Sequence, residues 1–333
     1  MRRPLPGSPA LARRALLLGG PLASLAAAYA RAQPPKVIGV LSPYGSVDAQ
    51  AALQVFRRAM RELGYREDRD FVLLERFADG RNERLPALAG ELVKRRVDLI
   101  LASTTNAVQA AQAATSSIPI VFESVADPVV AGFAASIGHP GRNITGVSNF
   151  SADLSPKRLQ FLTQMVPGLH RVAVLFNASN PYALSQKPAI ESVAERLRLS
   201  VQFVAAATPD EVELAFKGIA SARAEALLVT ADAYLLALRQ RIAELALKGG
   251  LPSIFPFAAY VEAGGLMSYG VDPALGMRQA TTFVDKIFKG AKAGDLPIEQ
   301  PTRVALVINR RTAARLRLAI PQVLLLQAEQ VID

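Results

Sequence analysis

The sequence predicts an α/β protein made of two doubly wound parallel-sheet halves, and three observations carry that reading. Apolar runs of strand length alternate with segments whose apolar residues recur every three or four positions. The alternation runs through residues 36–149 and then restarts over 150–267, so that the halves keep step. With 333 residues, 51% of them hydrophobic and 20% charged, the chain is long enough for about two domains with cores of their own. Strands that alternate with helices form a parallel sheet covered on both faces.

In the first half "VIGVL" (37–41) is a strand. Leu53, Phe56, Met60 and Leu63 then mark one face of a helix that Gly64 ends. "FVLLE" (71–75) is the second strand, and Leu85, Leu88 and Leu92 form a helix face with Pro86 in its first turn, where a missing amide does no harm. "VDLILA" (97–102), the helix "NAVQAAQAA" (106–114) and the strand "IPIVF" (118–122) complete the half. The second half begins with "RVAVLF" (171–176) and a helix face of Ile190, Val193 and Leu197. "VQFVAA" (201–206) follows, then a capping box at Thr208 to Glu211 that opens a helix with Val212, Phe216 and Ile219 inward. "ALLVT" (226–230), a helix through Leu235, Leu238, Ile242 and Leu245, and "PSIFPF" (252–257) close it. Beyond lies a tail. Asp272-Pro273 opens a helix that Gly290 closes, and "RVALVI" (303–308) and "RRTAARLRL" (310–318) are one more strand and helix.

The net charge of +10 invites a nucleic-acid reading, but Arg2, Arg3, Arg13, Arg14 and Arg31 precede Gln33 with no acid among them. Past that point the basic excess is small and scattered. Its one dense cluster, Arg310, Arg311, Arg315 and Arg317, reads as a solvated helix face, so no nucleic-acid partner is expected. The absence of cysteine excludes disulfides, thiolate metal sites and a lipid-anchored N-terminal cysteine. No metal site is expected. Residues 1–32 have the layout of a cleaved export signal: a basic start, an apolar stretch from Ala15 to Ala30, and Ala30-Arg31-Ala32 before Gln33. Arg13-Arg14 resembles a twin-arginine signal and fits a general secretory signal equally well. The expected location is therefore periplasmic, with cleavage near Ala32.

Ligands of open α/β sheets sit beyond the carboxyl ends of the strands, which selects the polar residues there. In the first half these are Ser42, Tyr44, Thr104, Thr105, Asn106, Ser124 and Asp127. In the second they are Asn177, Asn180, Tyr182, Asp232 and Phe255. Each has a second reading, since Ser, Thr, Asn and Asp are also the preferred helix caps and Phe255 suits a core. The pair Asp127-Pro128 carries its own control, because Asp272-Pro273 repeats it elsewhere. The cluster "STTN" (103–106) places three hydroxyls and an amide at a strand-to-helix turn, where free amides favour a carboxylate or phosphate. No G-x-G-x-x-G follows the first strand and no phosphate-binding loop is present, so no nucleotide cofactor is expected. His139 and His170 both lie away from strand carboxyl ends, and no catalytic signature appears.

The stretches "IPIVFESVADPVVAGFAASIGHPGRNITGVS", "KRLQFLTQMVP", "VEAGGLMSYGVD" and "LPIEQPT" give the chain a close resemblance to substrate-binding proteins of bacterial ABC transporters, the group that includes tryptophan- and tyrosine-binding lipoproteins. The resemblance runs nearly end to end. It departs at Ala126, where relatives often carry Thr or Gly, and at "ARLRLAIP", which lacks a common Gly. It implies a type I periplasmic-binding-protein fold, with a ligand cleft between two lobes joined by crossovers. Lobe 1 would be 36–149 plus 268–299, and lobe 2 would be 150–267 plus 300–333. It further implies capture of a small amino-acid-like solute, often aromatic, for a membrane permease. A carboxylate would suit Thr104 to Asn106, an ammonium Asp232 or Asp127, and a side chain Tyr44 or Phe255. Two other functions stay open at this level: a ligand-sensing regulator on the same fold, and a small-molecule hydrolase with Asp127 and Asp232 as an acid-base pair.

Overall fold

The computed structural model describes residues 34–333 apart from 126, 149–150, 181–182 and 301–302; the export segment lies outside the described residues. The first sheet holds β1 (Lys36–Ser42), β2 (Phe71–Phe77), β3 (Leu99–Ser103), β4 (Ile120–Val125) and β5 (Ile144–Ser148) in the order β2-β1-β3-β4-β5. All of its pairings are parallel. Its strands are apolar on both sides because helices cover both faces. On one face α2 (Leu85–Lys94) and α3 (Thr104–Ala114) bury Leu85, Leu88, Leu92, Val108 and Ala111. On the other, α1 (Ser46–Glu62) buries Leu53, Phe56 and Met60. Leu63 departs from the expected helix face. It is the C-cap residue of α1 and stands 42% exposed, because the chain unwinds there into Gly64 at φ 92°.

The second sheet runs β12-β11-β10-β9-β8-β6-β7. It consists of β6 (Arg171–Phe176), β7 (Ser200–Ala205), β8 (Ala226–Val229), β9 (Ser253–Phe255), β10 (Met267–Gly270), β11 (Ala305–Asn309) and β12 (Gln330–Ile332). One face is covered by α4 (Ser151–Met165), α5 (Lys187–Arg196), α11 (Arg310–Arg315) and α12 (Gln322–Gln327). The other is covered by α6 (Pro209–Ser221), α7 (Ala233–Ala237), α8 (Arg239–Lys248) and α9 (Ala258–Glu262). The single helix expected through Leu235 and Leu245 is broken at Leu238 into α7 and α8. The capping box at α6 forms, with Glu211 N donating to Thr208 Oγ1 at 3.2 Å. Glu211 reaches back one residue further than the usual box, accepting from Ala207 N at 2.6 Å.

The tail explains the remaining topology. α10 (Pro273–Phe288) follows β10 directly, yet it packs against α1, β4 and β5, where Met277, Ala280, Phe283 and Val284 join the first-sheet core. Residue 268 lies inside β10, a strand of the second sheet. The chain thus passes between the sheets after β5, after β10 and before β11. β11 pairs antiparallel with β10, Ala305 standing opposite Gly270, where the alternation predicted parallel strands throughout. The chain leaves the second sheet at its carboxyl edge and re-enters at that same edge, so the returning strand has to run backward.

Glycine permits the departure. A β-carbon on Gly270 would stand 1.8 Å from the Pro256 carbonyl oxygen, and one on Gly265 would stand 2.5 Å from the Phe255 ring and 2.8 Å from the Tyr260 carbonyl oxygen. This accounts for the "GGLMSYG" stretch by close backbone approach. Gly270→Ala should therefore lower stability by about 3 kcal/mol, read as a fall in the urea midpoint. Gly138→Ala, which adds a β-carbon where nothing lies within 4 Å, should leave the midpoint unchanged within experimental error.

Candidate functional site

The carboxyl edges of the two sheets face each other. Gly80, just past β2, lies so near the second lobe that a β-carbon there would stand 3.1 Å from Cδ2 of Tyr234 in α7. Asn106 at the start of α3 and Ser179 past β6 line one cavity of about 510 Å³ together with Asn82, Glu83 and Gln109. Backbone strain collects on the first lobe's side of this gap. Asp79, two residues past β2, Thr104, the first residue past β3, and Ser124, at the irregular end of β4, take φ of 53°, 73° and 64°. Left-handed backbone costs a β-branched residue such as Thr104 most, and such strain concentrates at functional sites. Of the other non-glycine residues in that region, Arg96, Arg198, Arg223 and Arg317 close helices, where the conformation is ordinary, and Asp68 lies in the turn before β2.

At β3, Ser103 holds the N-cap position of α3 without capping it. Its hydroxyl acts on the Glu123 carboxyl, whose proton affinity it lowers, and the first-turn amides of α3 have no side-chain cap. Asn106 Oδ1 is buried with no hydrogen-bond partner among the described residues. Glu123 itself, on β4, is 4% exposed, and Oε2 approaches the α10 residue Gly276 to 3.9 Å from where a β-carbon would be. Burial pushes its carboxyl up to about 7 against the opposing effect of the Ser103 hydrogen bond.

In the second lobe Asp232 organises the rim. It is 7% exposed and caps α7, its Oδ1 accepting from Tyr234 N at 2.8 Å and Leu235 N at 3.1 Å. The same carboxylate accepts from Asn177 Nδ2 and Asn180 Nδ2, both at 3.0 Å. Asn177 in turn accepts from the Ser179 backbone and hydroxyl at 2.9 and 2.8 Å. Tyr260 is buried, stacked on Phe255 at 4.6 Å, and its hydroxyl has no partner among the described residues. Burial holds its phenol well above the usual range, with Asp232 and then Tyr44 of the first lobe adding to the shift. Beside these lies Arg158 of α4, 1% exposed. Its Nε donates to the Tyr269 carbonyl at 2.7 Å and Nη1 to Ser155 Oγ at 2.9 Å, and Ser155 donates to Gln186. Burial pushes the guanidinium down to about 9.

Residues 38–332 match the family model described as ABC transporter substrate binding protein. The chain belongs to that family. A tyrosine-binding protein of Clostridioides difficile is 26% identical over 281 residues, which cover 83% of this chain and 79% of that protein. Two solved structures share the fold. One is a conserved domain protein from Vibrio cholerae, 24% identical with a TM-score of 0.84, and the match covers 90% of this chain and 100% of that one. The other is an ABC domain in complex with L-Trp from Streptococcus pneumonia, 23% identical with a TM-score of 0.82 and the same coverage of each chain.

For this substrate-binding family member, the residues chosen from sequence fall into three groups. Thr104, Thr105, Asn106 and Ser124 gather at the first lobe's carboxyl edge with Ser42, whose hydroxyl accepts from Tyr44 N at 3.2 Å. Asn177, Asn180 and Asp232 are joined by direct hydrogen bonds. Phe255 is fully buried and packs in the core, while Tyr182 lies outside the described residues. Asp127 caps, as one of its readings held, with Oδ1 accepting from Val129 N and Val130 N, both at 3.0 Å. What it caps is a correction: residues 128–132 form hydrogen-bonded turns and no helix. The chain turns back at Gly132, φ 72°, before a second helical turn can form. Both carboxylates of the suggested acid-base pair thus serve as caps. Arg310, Arg311, Arg315 and Arg317 are exposed, and Arg310 pairs with Asp333 at 3.2 Å.

Sequence reasoning missed Glu123 and Arg158. Glu123 interrupts an apolar strand run, and Arg158 stands four residues before the buried Leu162, on the helix face that turns inward. Two outcomes follow. Asp232→Ala should cost about 2 to 4 kcal/mol in urea unfolding, since it removes a cap and leaves buried amides unpaired, and Asp232→Asn should recover part of that loss because Asn also caps. For Glu123, the raised folded-state value means that the native protein holds the proton more tightly than the unfolded chain. Stability is therefore highest below the ordinary carboxylate range and falls as pH rises through about 7. Glu123→Gln removes that dependence, so ligand-free variant and wild type should differ little at pH 4.5, whereas at pH 8 the variant should be more stable by about 3 kcal/mol.

Proposed function

We propose that this chain is the extracytoplasmic solute-binding component of an ABC-type uptake system, capturing a small amino-acid-like ligand, favoured to be aromatic, between its two lobes. The observation that carries the reading is the apposition of the two carboxyl edges at Gly80 and Tyr234, with strained backbone at Asp79, Thr104 and Ser124 on one side and the Asp232 network on the other. A rim held this firmly on both sides is prepared to close on one small molecule. The binding of tyrosine named for one relative and the L-Trp complex of another structure support the ligand class.

In this reading lobe 1 is the first sheet with the segment from α10 to residue 299, and lobe 2 is the second sheet with the tail. Ser42, Tyr44, Thr104, Thr105, Asn106, Ser124, Asn177 and Asn180 face the solute, Asp127, Asp232 and Phe255 hold the walls, and Tyr182, outside the described residues, is counted with the ligand contacts on sequence alone. Residues 1–32 direct export, a step supported by their basic, apolar and small-residue sequence. No helix among the described residues is long and apolar enough to cross a membrane. A membrane permease receives the solute, and lobe closure reports occupancy to it.

Thermal unfolding against the twenty amino acids tests the reading. A ligand that binds only the folded state, present at 100 times its dissociation constant, adds about 2.7 kcal/mol, so at least one aromatic amino acid should raise the midpoint by several degrees. The reading is lost if no amino acid or related solute shifts the midpoint and native mass spectrometry of freshly purified protein finds no bound small molecule.

A further inference from the structure

A buried ion without a counterion is costly, because it gives up hydration and gains no opposite charge. Two such groups remain outside the interactions assigned above. Arg158, 1% exposed, donates only to the Tyr269 carbonyl and the Ser155 hydroxyl, both neutral, and pairs with no carboxylate among the described residues. Glu123, 4% exposed, has the Ser103 hydroxyl as its partner and no cation among the described residues.

The two belong to different lobes, yet one short crossover passes both. At its start, a β-carbon on Gly270 would lie 3.7 Å from Nη2 of Arg158. At its end, one on Gly276 in the first turns of α10 would lie 3.9 Å from Oε2 of Glu123. This crossover leaves the second sheet at its carboxyl edge and reaches the first sheet beside β4, so both charges flank the place where ligands of open α/β sheets lie.

On the reading of solute capture given above, we infer that Arg158 and Glu123 recognise the two charged ends of a zwitterionic α-amino acid, the guanidinium taking the carboxylate and the carboxylate taking the ammonium. Such a solute supplies both missing counterions at once. It does so only while the lobes are together, because each lobe holds one of the groups. A solute with one charge would leave the opposite group buried and unpaired, and that penalty sets selectivity between polar analogues. The guanidinium, whose Nη2 has no hydrogen-bond partner among the described residues, suits a carboxylate by its fork of donors.

The test is calorimetric titration of each amino acid that stabilises the protein, with its carboxamide and its α-hydroxy acid, against wild type, Arg158→Met, Arg158→Lys and Glu123→Gln. Wild type should bind each analogue about 30-fold or more weakly than the amino acid. Arg158→Met should bind the amino acid as weakly as wild type binds the carboxamide, with no further loss for the carboxamide. Glu123→Gln should show the same equality with the α-hydroxy acid. Arg158→Lys keeps a cation and should keep the preference for the carboxylate, which holds the test open if Arg158→Met does not fold. The inference is overturned if wild type binds the carboxamide as well as the amino acid, or if the variants weaken acid and analogue equally, the mark of a purely structural role. Binding of uncharged solutes alone would overturn it while leaving solute capture intact. Binding of nothing would remove both.

Discussion

The carbonyl oxygen of Pro256 stands where a side chain at position 270 would begin, and the two-lobed arrangement depends on that contact. Only glycine lets β10 end so close to β9 and turn out of the sheet. The consequence reaches far along the chain. Once released, the chain carries α10 onto the first sheet, where Met277, Ala280, Phe283 and Val284 complete a core that α1 covers only in part. The excursion then fixes the antiparallel entry of β11, since the chain returns at the edge it left. Packing on one lobe is thereby tied to backbone geometry on the other through one crossover.

Around that crossover, carboxylates divide by what surrounds them. Asp127 and Asp232 each turn toward backbone amides, and Asp232 also gathers two asparagine side chains, so their charge is answered locally and their work is to hold loops. Glu123 has one hydroxyl and a buried setting, which is why its proton is retained to a far higher pH than an exposed carboxylate would allow. Arg158 is the matching case in the other lobe. The two aspartates thus have their charge met by amides, whereas Glu123 and Arg158 have no opposite charge beside them among the described residues.

Much of the fold was legible because burial leaves a period in the sequence. β6 was read to the residue, and the inward faces of α1, α2 and α6 were read correctly except for Leu63. Three strands went unread. β5, β10 and β12 are short, and the first two contain Gly146, Gly270 and serine, so they lack the apolar run that marks a strand. The glycines are there for contact: a β-carbon on Gly146 would stand 2.1 Å from the Phe122 carbonyl oxygen. The polar residues of the candidate site were legible as strand-end positions for the same local reason that helix caps are, since a polar residue after a strand has a limited set of partners. The buried charges of Glu123 and Arg158 were missed because a glutamate and an arginine are ordinarily surface residues, and no local rule says when one is buried.

The sequence by itself determined the periodic elements, the caps at Thr208 and Asp272, and the family, because each is written in residues near one another along the chain. The tertiary structure alone decided which sheet received α10, which direction β11 ran, and that Glu123 and Arg158 lie at opposite ends of one crossover. Those outcomes rest on contacts between residues more than a hundred positions apart, such as Arg158 with Tyr269 and Glu123 with Gly276. A buried charge has no period and no local signature. Its environment exists only once distant segments have closed around it.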